Sequence, residues 1–131
     1  MKKIMVFGTF DGLHAGHLNF FNQAKKLGNY LIVVIARDYN VKKIKNKLPR
    51  LNETERQSAV KKIKIAEKVV LGQIKNPYKV IEKYQPTVIA LGYDQKSFTK
   101  DLKKNFTKIK IVRLKPYKPN IYKSSKLALK T

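Results

Sequence analysis

The chain has no cysteine and no tryptophan, and only two histidines, in 131 residues. Without cysteine there is no disulfide, no thiolate nucleophile and no thiolate metal site, and a cytoplasmic location fits. No run of roughly 18 apolar residues is present, so a membrane-spanning helix is not expected. The basic start Met1-Lys2-Lys3 followed by Ile4-Met5-Val6-Phe7 reads as too short for a secretory signal. Acids are scarce, 8 Asp and Glu against 30 Lys and Arg, for a formal net charge of +22. Such an excess attracts polyanions, and a basic nucleic-acid-binding module without catalysis is the alternative it raises. Arginine, the usual fork for bases and phosphates, is also scarce: Arg37, Arg50, Arg56 and Arg113 are the whole set. No zinc-finger, KH-type or RNP-like pattern occurs. The charge is therefore read as a solvated lysine surface serving anionic small substrates. A chain of this length makes one domain, residues 1–131.

What is present is a short apolar run, Lys3 to Phe7, stopped by Gly8 and followed by Thr9-Phe10-Asp11-Gly12-Leu13-His14-Ala15-Gly16-His17. The run reads as a buried strand. From Gly16 on, Leu18, Phe21, Ala24 and Leu27 recur at helical spacing. Both histidines thus fall at a strand-to-helix turn. Unpaired backbone N–H groups and the positive end of the helix dipole gather anions there.

Gly28-Asn29 reads as the C-cap of this first helix. Tyr30 to Ala36 is nearly all apolar and β-branched, as in a parallel strand buried on both faces. Val41 to Arg50 reads as a basic ligand-binding loop. Asn52 reads as an N-cap with Glu55 closing a capping box, and its helix runs to about Ile65. Further strands are expected at 68–72, 87–92 and 109–114, and helices at 78–84 and about 98–104. A terminal helix starts at Ser124 or Ser125. Strands alternate with helices throughout, which implies an α/β, Rossmann-like three-layer sandwich with a parallel, doubly wound sheet. Ligands of such sheets sit beyond the carboxyl ends of the strands. Three of the acids, Asp11, Asp38 and Asp94, lie just past strand ends and are candidate ligand contacts.

Gly-Thr-Phe-Asp-Gly-Leu-His-Ala-Gly-His resembles the signature of the HxGH nucleotidyltransferases, the cytidylyltransferase-like group. The resemblance implies a five-stranded sheet in the order 3-2-1-4-5. It implies transfer of a nucleoside monophosphate from a nucleoside triphosphate to a phosphate ester, with release of pyrophosphate. Ala90-Leu91-Gly92-Tyr93-Asp94-Gln95, with Ala36-Arg37-Asp38 upstream, is similar to the archaeal-type FAD synthases, which adenylate FMN. The rival within the class is glycerol-3-phosphate cytidylyltransferase. Its Arg-Thr-Glu-Gly stretch is replaced here by Lys118-Pro119-Asn120-Ile121, with Arg113 or Lys118 as stand-ins for the arginine. The implied partners are ATP with FMN, or CTP with glycerol 3-phosphate, and a second copy of the chain packed beside the first strand–helix unit.

The resemblance also implies roles. His14 and His17 donate to the α-phosphate and the leaving group, Thr9 and Phe10 bring backbone N–H groups to the triphosphate, and Gly8 contacts the nucleotide. Lys45 or Lys47, with Arg56, neutralises phosphate charge. Gly92 and Asp94 contact the nucleotide, and Ser124 and Ser125 form a second phosphate clamp. Asp11, Asp38, Lys47 and Arg113 face the acceptor. Mg²⁺ rides in on the triphosphate, with no dedicated protein cage.

Overall fold

Strand β1, Lys3–Gly8, lies at the centre of the molecule, with Ile4, Met5 and Val6 fully buried. The computed structural model describes residues 1–93, 95 and 102–116. β1 pairs in parallel with β2, Tyr30–Ile35, from Lys3 opposite Tyr30 to Gly8 opposite Ile35. β2 pairs with β3, Lys68–Leu71, and on the other side β1 pairs with β4, Val88–Leu91. β5, Lys110–Arg113, lies beside β4. The sheet order is β3-β2-β1-β4-β5, as expected from the resemblance. The order reverses between β1 and β4, where the chain's two winding directions part.

Both faces of the sheet are covered. On one face, α1 (Ala15–Lys25) and α3 (Glu53–Lys62) bring Phe21, Ala24 and Val60 against Ile4, Val6, Val33 and Ile35. On the other, α4 (Lys79–Tyr84) and α5 (Leu102–Asn105) bring Val80, Ile81 and Leu102 against Met5, Phe7, Ile32 and Val34. Alternate residues of β1 and β2 feed opposite cores, which is why those strands are apolar without interruption. Among the described residues no helix is long and apolar enough to cross a membrane.

Two local readings are corrected. The segment expected to be a basic loop begins with a helix, α2, Asp38–Lys45, closed by Asn46 in the left-handed region at φ 61°. Only Val41 of α2 is buried, so its apolar spacing was too sparse to betray it. Gly28 is not a left-handed cap, because α1 ends at Lys25 with Lys26 as a right-handed C-cap. A Cβ on Gly28 would run into the Ile4 side chain and sit 2.5 Å from the Lys2 carbonyl. Gly28 is there for close approach of the chain to β1. The Asn52–Glu55 capping box forms as read, with Oδ1 of Asn52 accepting from Glu55 N at 2.8 Å and Oε1 of Glu55 accepting from Asn52 N at 2.9 Å.

Candidate active site

A cleft of about 660 Å³ opens at the carboxyl end of the sheet, over the point where the strand order reverses. Its floor is the exit of β1. Gly8 has no room for a side chain, since a Cβ there would meet the Phe10 ring at 2.5–2.9 Å. Phe10 itself adopts φ 54°, in the left-handed region that non-glycine residues avoid. Its buried ring packs on Phe21 at 5.1 Å and edge-on to His17 at 5.6 Å. This packing holds the strained residue in place and swings the chain over toward Gly12, at φ 85°.

The two histidines then cap the helix they start. His14 is the extended N-cap residue of α1, and its Nδ1 accepts from Gly16 N at 3.0 Å. His17 Nδ1 accepts from His14 N at 3.2 Å. The pair is a reciprocal capping box built from imidazoles, with ring centroids 3.9 Å apart. A backbone N–H can only donate, so each Nδ1 must be unprotonated. The neutral rings therefore carry their proton on Nε2. Neither Nε2 has a protein acceptor among the described residues, and both rings line the cleft. Burial, and secondarily the neighbouring His14, push the His17 pKa below the ordinary imidazole value, which favours this neutral donor form.

The other expected site residues divide into groups. Gly8, Thr9, Phe10, Lys45 and Gly92 line the cleft together with the histidines. Lys45 ends α2 at the cleft edge. Lys47 is exposed and does not line it. Asp94, Ser124 and Ser125 lie outside the described residues.

Four of the expected site residues are bonded to the protein. Arg56 is fully buried. Its Nε donates to the Leu51 carbonyl at 3.1 Å, Nη1 to the Thr9 carbonyl at 2.9 Å, and Nη2 to Asp38 Oδ1 at 2.6 Å. Asp38 also accepts from Glu53 N, while Glu53 accepts from Asp38 N and pairs with Arg37. This lattice ties the starts of α2 and α3 to the β1–α1 turn. Asp11 lines the cleft, and its two oxygens accept Arg50 N at 2.7 Å and Leu51 N at 2.9 Å. Those two N–H groups hold its carboxyl below the usual carboxylate range. Arg113 donates to the carbonyls of Gly92, Tyr93 and Gln95 and so gathers the exit of β4.

Sequence reasoning missed Gln95. Its Oε1 accepts from Gly92 N and its Nε2 donates to the Phe7 carbonyl, stitching β4 to β1 across the reversal. The signal was its place in the turn after β4. It also missed the apolar arm of the cleft over β2 and α2, formed by Val34, Ala36, Val41, Ile44, Pro77 and Val80. Ile44 is 64 % exposed there, an uncovered apolar side chain facing the opening. Among the described residues no group of three or more His, Cys, Asp or Glu side chains could hold a metal ion.

The arrangement supplies donors around one cleft, two imidazole N–H groups, a helix N-terminus and a lysine, while the carboxylate in its lining, Asp11, holds two backbone amides. That is the equipment for steadying phosphoryl oxygens. Known proteins agree with it. Residues 5–127 match the cytidylyltransferase-like family. A FAD synthase of Aciduliprofundum boonei is 43% identical over 121 residues, covering 89% of this chain and 80% of that protein. A FAD synthase of Thermoplasma acidophilum is 36% identical over 129 residues, covering 95% and 90%. Among solved structures, a Thermoplasma volcanium protein described as a lipopolysaccharide core biosynthesis protein superposes with a TM-score of 0.82 at 34% identity. It covers 90% of this chain and 99% of that one. A pantoate–β-alanine ligase from Francisella tularensis shares the fold at a TM-score of 0.60 and 18% identity, over 90% of this chain and 61% of that one. Matched along most of its length by the family and by FAD synthases, the chain belongs to the cytidylyltransferase-like family of nucleotidyltransferases.

Proposed function

We propose that the chain is an FMN adenylyltransferase, joining AMP from ATP to the phosphate of FMN to make FAD and pyrophosphate. The observation that carries the transfer chemistry is the imidazole capping box. It spends both Nδ1 atoms on the backbone and leaves two Nε2–H donors for the cleft. The choice of substrates is supported by the FAD synthases among the relatives. The broad apolar arm over β2 and α2 suits a flat three-ring system better than a small polar ester.

The reaction asks the protein for position and charge stabilisation. An FMN phosphate oxygen, already ionised at pH 7, attacks the α-phosphorus of ATP. The bond from that phosphorus to the bridging α–β oxygen breaks, and the electron pair leaves with pyrophosphate. Nε2–H of His14 and His17 would donate to the oxygens on which charge grows, each bond worth roughly 3–4 kcal/mol by analogy with oxyanion-hole deletions. Lys45 and the amides of Thr9 and Phe10 would hold the rest of the triphosphate. Mg²⁺ would enter as MgATP, its ligands phosphate and water, since Asp11 and Asp38 are engaged with the protein.

Incubating the chain with Mg²⁺, ATP and FMN, and separately with CTP and glycerol 3-phosphate, tests this. FAD in the first mixture, with matching pyrophosphate, is the expected result. Pyrophosphate in the second mixture alone would move the assignment to a cytidylyltransferase. Silence in both, with tight RNA binding that weakens steeply with salt, would favour the nucleic-acid module instead.

A further inference from the structure

The four arginines are used unequally. Arg37 is bonded to Glu53 and the Gly72 carbonyl. Arg56 is buried on three acceptors, and Arg113 holds three carbonyls at the end of β4. Arg50 is exposed, and among the described residues no acceptor lies within hydrogen-bond reach of its guanidinium. Yet Arg50 is not loosely placed. Both oxygens of Asp11 hold the backbone amides of Arg50 and Leu51, pulling this segment across to the β1–α1 turn. A Cβ on Gly12 would collide with Nη2 of Arg50, so the guanidinium lies in the space that the missing side chain leaves. Gly12 is two residues from His14 and the start of α1. An aspartate fastens the backbone, a glycine at φ 85° makes room, and the guanidinium that results feels the Asp11 charge but makes no direct ion pair or hydrogen bond among the described residues.

From this we infer that Arg50 is a phosphate-binding residue of the transfer site, placed to hold the pyrophosphate portion of the nucleoside triphosphate beside the histidine pair. The inference rests on the function proposed above. A guanidinium offers a bidentate fork to phosphate oxygens, which a flexible lysine does not. The other arginines are already engaged, so this one is the free fork near the turn. Because the segment is anchored through backbone amides, replacing the Arg50 side chain leaves the Asp11 fastening intact.

The test compares wild type, Arg50→Ala and Arg50→Lys as full chains, by steady-state kinetics with MgATP and FMN. Pyrophosphate binding is measured separately by calorimetry, without turnover. Arg50→Ala is expected to raise the KM for ATP about tenfold and to weaken pyrophosphate binding by a similar factor, with kcat and melting temperature little changed. Arg50→Lys should recover part of the loss, which a purely structural role would not produce. A rise in the KM for FMN instead of ATP, with pyrophosphate binding unchanged, would overturn the pyrophosphate role and move the residue to the acceptor side. Unchanged KM values for both substrates, with unchanged pyrophosphate binding, would overturn the inference while the enzyme still made FAD. A wild type that made no FAD would overturn the proposed function, and the pyrophosphate titration would still decide the role of Arg50.

Discussion

The histidine pair is assembled within one helical turn, whereas the Arg56 lattice joins residues as far apart as Thr9 and Arg56, 47 positions along the chain. Both stand at the carboxyl end of the sheet, and both contain side chains that chemistry would choose for holding phosphate. They are used in opposite ways. Each imidazole has two nitrogens, spends one on the backbone and keeps the other for the cleft. In the lattice, Nε, Nη1 and Nη2 of Arg56 and both oxygens of Asp38 are all bonded inside the protein. A charged residue past a strand end is therefore not a ligand contact by position alone. What matters is whether the fold leaves it a free donor.

The largest expected effect comes from breaking the lattice. Arg56→Ala strands the Asp38 carboxylate and frees the carbonyls of Thr9 and Leu51. It should cost about 3–5 kcal/mol of stability, read as a lower urea midpoint. A variant with wild-type stability but a raised KM for ATP would mean that the guanidinium acts on phosphate after all. The histidines should show the reverse pattern. His14→Ala and His17→Ala should each lower kcat by roughly 100-fold or more. Each should lose only about 1 kcal/mol of stability, the usual worth of a helix cap. Comparable stability losses in both clusters would erase the distinction between them.

How far the sequence foretold these two clusters follows from their range. The histidine spacing matches a capping box, polar N-cap and polar third residue on, and lies within four consecutive residues. Its position after an apolar strand was legible, as were the strand order and the Asn52–Glu55 box. The capping is unusual in kind, because histidine is not among the residues that usually cap helices. The lattice, by contrast, was illegible. Nothing local to Arg56 says that it will be buried, since its partner Asp38 is 18 residues back, on a helix whose one buried apolar residue, Val41, gives no periodicity. The same sparseness made α2 read as a loop. Asp11 looked free for want of any hint that the amides 39 and 40 residues on would fold back onto it.

Asp11 sits between the two patterns and should show an intermediate effect. Asp11→Asn keeps one acceptor and turns an amide N–H₂ against the second backbone N–H, so one bond is lost. At this partly exposed position, about 1 kcal/mol or less of stability is at stake. The sign with pH follows from its lowered carboxyl pKa. The native state holds the proton less readily than the unfolded chain. The stabilisation is therefore complete above the ordinary aspartate value and disappears as the pH falls through the lower folded one. In the asparagine variant that part of the acid sensitivity should vanish, as melting curves of the two proteins between neutral and strongly acid pH would show.

The smallest expected effect is the most direct test of the imidazole box. Burial, and then His14, lower the His17 pKa, so the folded protein binds this proton less readily than the unfolded chain. The contribution to stability is full above the ordinary histidine pKa and declines as the pH falls through the folded value. The reason is geometric as well as electrostatic. A second proton on His17 must go to Nδ1, the atom that accepts the His14 N–H, and that bond then breaks. His17→Gln separates capping from titration, because a glutamine carbonyl at the third helical position can accept the N-cap amide and carries no proton to gain. The variant should keep the wild-type melting temperature at neutral pH and lose less of it than wild type on moving below the ordinary histidine range. Its turnover should stay below wild type, since the carboxamide N–H₂ is a weaker and differently placed donor than the imidazole Nε2–H. A glutamine variant as acid-sensitive as wild type would mean that the helix start does not depend on an unprotonated Nδ1. The fixed tautomer, and with it the outward aim of Nε2, would then have to be abandoned.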